Sequence, residues 1–167
     1  TSWFPTLTRD STDWQFTSRD ATVNIFEDPA NQVSAGRVVR QLGSFMEIFS
    51  RGGDVCITEW DVESGEIETF VFRFDNALKA YQLVSIENVS GDTVELERSP
   101  TGELNRLRQT VEQRTVVVKH TRDGRIASLS LDGGEAGTPL IFYEYDSAGR
   151  LVAAINRRRL AHRYEYD

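Results

Sequence analysis

Apolar and polar residues alternate with period two along most of this chain. Ile141, Tyr143 and Tyr145 share one face of a short segment. Val116, Val118 and His120 do the same, as do Val94, Leu96 and Arg98, and Phe70, Phe72 and Phe74 in FVFRFD. That period marks a strand with one face buried, and Tyr, Phe, Val and Ile suit a pleated surface. Between these segments stand Asp-Ser-Ala-Gly149, Thr-Arg-Asp-Gly124 and Ser-Pro-Thr-Gly102. This is turn chemistry: Gly supplies positive φ, and Asp, Ser or Thr bonds the nearby backbone. Strand–turn–strand units also read out of SIENVSGDTVELER and CITEWDVESGEIETF. Helix signals are weak. FDNALKAY has room for one short turn, and GELNRLRQTVEQ reads as strand and turn because of its Gly anchor.

The units recur. Gly149, Gly124 and Gly102 occupy matching places, 25 and 22 residues apart, each followed two residues later by Leu151, Ile126 or Leu104. Tyr143-Glu144-Tyr145-Asp146 returns 21 residues on as Tyr164-Glu165-Tyr166-Asp167. Each unit predicts one hairpin of roughly 20 residues. A lone hairpin is marginally stable, so the units must pair side by side. The expected fold is all-β, an antiparallel sheet of repeated β-hairpins that propagates unit by unit. Residues 1–44, with two Trp, two Pro and many turn formers, predict an irregular segment of short strands leading into an array over 45–167.

Tyr143-Glu144-Tyr145-Asp146-Ser147-Ala148-Gly149-Arg150-Leu151 resembles the YD repeat of the rearrangement-hotspot (Rhs) family in full, and Tyr164, Tyr166 and Asp167 begin a second copy. His120 to Ile126 keeps the turn and return strand without the Tyr-Asp, and Arg98 to Leu104 keeps only Gly102 and Leu104. The resemblance covers roughly residues 45–167. It implies a segment of a hollow β-cocoon that encloses a C-terminal toxin until delivery, as in bacterial type VI secretion effectors and related toxin-complex subunits. The implied partners are the remainder of the shell, the enclosed toxin domain and a secretion-system spike or adaptor. The implied location is a bacterial cytoplasm, followed by secretion or delivery to a target cell. No position matches the family's self-cleaving aspartates, so the expected role is structural, with no catalytic residue and no cofactor. A chain that stops as a strand begins is expected to be a segment of a longer protein, with an edge that seeks a partner strand.

Composition narrows the alternatives. A chain of 167 residues predicts one domain that buries roughly 70% of its unfolded surface. A net charge of −7 argues against general nucleic-acid binding, which needs a basic face. Arg157-Arg158-Arg159 is the only basic run and reads as a solvated turn. The longest apolar runs are too short to span a bilayer. The start has no basic segment followed by an apolar stretch and does not read as a signal peptide. Cys56 lies in DVCITEW and reads as a buried thiol; a single Cys makes no internal disulfide.

Tyr143, Tyr145, Tyr164 and Tyr166 predict an aromatic ladder between neighbouring strands. A sugar-binding strip is the functional alternative, and a carbohydrate- or surface-binding module is the second reading of the chain. Glu144, Asp146, Glu165 and Asp167 fall on the opposite face. They read as solvated acids, as paired carboxylates of the glycosidase kind, or as the lining of a shell. His120 and His162 lack partners at zinc spacing.

Overall fold

The computed structural model describes residues 4–28, 30–41, 45–62, 64–133 and 139–166. No helix occurs among them. β1 (Thr6–Arg9), β2 (Asp13–Thr17) and β3 (Val23–Glu27) form a three-stranded antiparallel sheet. A second sheet holds the other strands. They are β4 (Val39–Arg40), β5 (Met46–Arg51), β6 (Asp54–Trp60), β7 (Ile67–Asp75), β8 (Ala80–Asn88) and β9 (Thr93–Arg98). After them come β10 (Leu104–Gln109), β11 (Thr115–His120), β12 (Ile126–Leu131), β13 (Ile141–Tyr145), β14 (Leu151–Asn156) and β15 (Ala161–Arg163). These twelve strands lie in sequence order, and the sheet is not closed. The chain forms two compact units, 1–95 and 96–167, with the boundary inside β9.

In the first unit the three-stranded sheet covers the middle of β6–β8. Trp14 and Phe16 alternate inward on β2 and are fully buried. Phe16 packs against Phe70 at 5.5 Å and Phe72 at 6.2 Å between ring centroids. Phe70 stands opposite Ile57, which stands opposite Ile48, and all three are buried. Each such side chain contributes about 1.5–3 kcal/mol by leaving water. The central strands are buried on both faces: Cys56 and Val71, opposite each other, point away from Phe16's side of the sheet and are also covered. One-faced burial, as the period-two reading expects, therefore does not describe β6 and β7. Both are interior strands of the sheet.

Asp28 anchors the loop after β3. Its buried carboxylate accepts from the Trp14 indole N–H at 3.3 Å and from the backbone amides of Gln32 and Val33. The segment before β4 thus contains a regular sheet, with a buried polar clamp beside it.

Six turns share one geometry, at Ser18–Thr22, Asn88–Asp92, Ser99–Glu103, Thr121–Arg125, Asp146–Arg150 and Asn156–Leu160. In each, the first residue's N–H donates to the fifth's carbonyl, and the fourth's N–H donates to the first's carbonyl. This is a three-residue hairpin loop closed by a left-handed residue. The fourth residue has positive φ in every case, from 61° at Arg159 to 87° at Gly102. Side chains cap the same turns. Asn88, Asp146 and Asn156 use carboxamide or carboxylate oxygens, and Ser99 and Thr121 use hydroxyls, to accept the amide of the fifth residue. Asn76–Lys79 is a turn, not a helix, and the Arg157–Arg159 run is exposed within the last of the six turns. GELNRLRQ supplies β10.

Candidate functional site

The second unit brings the motif residues together. Tyr145 ends β13 and Asp146 opens the turn to β14. Asp146 Oδ1 accepts the Arg150 amide and Oδ2 accepts Arg150 Nε, both at 2.8 Å. Those bonds hold its carboxyl below the usual carboxylate range, the Arg150 backbone N–H first. Gly149 takes the left-handed position at φ 83°. Arg150 leads into Leu151 and β14.

Two hairpins then interlock through the same contacts. The Tyr145 phenol donates to the carbonyl of Ile126 at 2.8 Å, and the Arg125 guanidinium lies 5.5 Å over the Tyr145 ring. The Tyr166 phenol donates to the carbonyl of Leu151 at 2.8 Å, and the Arg150 guanidinium lies 5.0 Å over the Tyr166 ring. In both, the tyrosine of one hairpin reaches the residue two places after the turn glycine of the hairpin before it. The next turn also sits under the earlier arginine: a Cβ on Gly149 would collide with the Arg125 guanidinium. At Gly124 the corresponding neighbour is Glu103 Oε1 at 3.5 Å.

This changes the reading of individual residues. The ladder expected to be ring on ring is guanidinium on ring at Tyr145 and Tyr166. Burial raises the phenol of Tyr143, with a smaller contribution from Tyr164, and burial likewise raises that of Tyr145. Glu144 is exposed opposite Ala153, whereas Asp146 has left the strand for the turn, where a register shift falls between Glu144 and Tyr145. Gly102 caps the Ser99 turn, and Leu104 beyond it is buried. His162 is exposed, with its ring 5.3 Å from Tyr164. Asp167 lies outside the described residues. Among the described residues no three His, Cys, Asp or Glu side chains gather at metal-binding distance.

The chain matches no family model and no curated protein.

The first unit carries an acidic recess of about 510 Å³ that the sequence reading missed. Asp20, Glu59, Asp61, Glu66 and Glu68 line it with Trp60 and Arg19. Arg19 pairs with Glu68 at 3.2 Å, with its guanidinium 5.4 Å over Phe70. Burial, reinforced by the charges of Asp20 and Glu68, raises the Glu59 carboxyl. The recess already holds its own cation. These acids come from two segments about forty residues apart in sequence, and no local motif announces them.

Proposed function

We propose that this chain is a structural module, a segment of an Rhs-type YD-repeat shell that encloses a C-terminal toxin before delivery. The observation that carries this reading is the doubled link from a tyrosine phenol to a backbone carbonyl of the preceding hairpin. The Tyr145 phenol, the Asp146 carboxylate and Arg150 Nε of the Tyr-Asp-x-x-Gly-Arg-Leu motif are engaged in closing a turn or in fastening one hairpin to the next. Such a motif serves to extend a sheet, and a sheet extended to closure would wall off a cargo by giving every backbone group a partner. One face of the Tyr145 and Tyr166 rings carries a guanidinium, which argues against those two rings as a sugar-stacking strip.

The test is limited proteolysis of the full-length gene product with mass spectrometry. Containment predicts that a segment C-terminal to these strands stays uncut until the β-structure is unfolded. Immediate digestion of that segment under native conditions overturns the reading.

A further inference from the structure

We propose that the cleft between β1 and the β7–β8 hairpin binds a pyranose ring of a neutral glycan. The cleft, about 420 Å³, is lined by Thr8, Arg9, Asp10, Phe74, Lys79 and Tyr81. That volume lies in the range of small-ligand sites.

The aromatic floor is a chain of edge-on ring contacts. Trp14 is buried and held by Asp28. Tyr81 meets the Trp14 ring edge-on at 5.2 Å, and Phe74 meets the Tyr81 ring edge-on at 5.1 Å. Phe74, last in this chain of contacts, is 41% exposed, although Phe70 and Phe72 on the same face of β7 are buried. An exposed aromatic ring fixed by its neighbours offers a platform to the C–H face of a sugar at little entropic cost.

The rim supplies hydrogen-bonding groups of both kinds. Asp10 Oδ1 is fixed by the amides of Thr12 and Asp13, which orients the carboxylate and leaves Oδ2 to accept from a hydroxyl. Lys79 offers an ammonium from the turn between β7 and β8, where its φ is 53°. Thr8 adds an exposed hydroxyl. Arg9 is tied to Ser34 and Asn31 and lies 4.7 Å over the Trp14 ring, so it braces the wall. Sugar hydroxyls both donate and accept, and this rim serves both directions. An anionic ligand would meet Asp10, and a cationic one would meet Lys79 and Arg9. A neutral polyol avoids both conflicts.

The proposal does not rest on the shell reading, since the cleft lies wholly within the first unit. The experiment is calorimetric titration of the full chain with cellohexaose, maltohexaose and hexa-N-acetylchitohexaose. At least one is expected to bind, and Phe74→Ala to weaken it about tenfold, the loss of roughly one aromatic contact. Lys79→Gly removes the ammonium at a left-handed position that Gly accepts readily, so the fold is kept and a several-fold loss is expected. Thermal unfolding of both variants checks that they remain folded. No heat from any of the three sugars at millimolar concentration overturns the proposal, and so does binding that both folded variants leave unchanged.

Discussion

Tyr145 Oη lies 2.8 Å from the carbonyl oxygen of Ile126, at the far side of a turn that its own hairpin does not contain. Tyr166 repeats the relation with Leu151. Tyr145→Phe deletes the donor and keeps the ring, so it is expected to cost about 1 kcal/mol in urea unfolding. Tyr166 is 48% exposed, and water replaces its bond more readily. Tyr166→Phe is expected to cost less than half as much.

Gly149 and Gly91 separate backbone strain from lost contacts. Their φ values are 83° and 82°, but only Gly149 has a neighbour, the Arg125 guanidinium. Gly91→Ala should cost about 1 kcal/mol for the left-handed backbone alone. Gly149→Ala forces the flexible arginine off Tyr145 and should cost a further ~0.5–1 kcal/mol, the worth of an exposed cation–π contact. In an Arg125→Ala background that excess should vanish, which a double-mutant cycle measures directly.

Asp28→Ala strands the Trp14 indole N–H and two loop amides in a buried place. Unmet buried donors make this costly, about 2–3 kcal/mol, with a change in tryptophan fluorescence reporting the loosened Trp14. Asp28→Asn keeps one acceptor oxygen and should cost less.

Acid should destabilise the protein. Asp10, Asp20 and Asp146 are held below their ordinary value of 3.8, by the Thr12 amide, the Ser18 hydroxyl and the Arg150 amide respectively. A depressed carboxyl contributes stability that is present above its unfolded pKa and is lost as pH falls through its folded one. Glu59 acts in the opposite sense. Raised above 4.5 by burial, it favours the fold at low pH and loses that contribution as pH rises through its raised value. The two effects fall in separate windows, Glu59 above 4.5 and the aspartates below 3.8, so the thermal midpoint should fall below about pH 4 as the aspartates take up protons. Asp146→Asn should soften that fall.

The Cys56 thiol is fully buried, and burial pushes it up to about 11. It stays a protonated thiol at neutral pH. A disulfide reagent should leave native protein unmodified over minutes and should titrate one thiol per chain in guanidinium.

Strands and turns were legible in the residues because their causes are local. Ser99, Thr121 and Asp146, each with Gly three places on, announce their turns by chemistry that acts within five residues. Ser18–Thr22 and Asn156–Leu160 were harder, since Ala21 and Arg159 hold the left-handed place without being glycine. The links from Tyr145 to Ile126 and from Tyr166 to Leu151 could not be read from spacing alone. They depend on the register in which neighbouring strands pair.

Which face of a strand is buried was also beyond the sequence. VNIFE offers Val23 and Ile25 as the natural inward pair, yet they are 55% and 48% exposed, while Asn24 and Phe26 are buried. Pairing sets Phe26 opposite Trp14 and Asn24 opposite Phe16. The two aromatic anchors therefore drag Asn24 inward, where its amide nitrogen finds no partner among the described residues. Alternation along one strand fixes only that its two faces differ. The covering layer decides which face leaves water, because apolar area buried against Phe70 and Phe72 outweighs a single unmet amide.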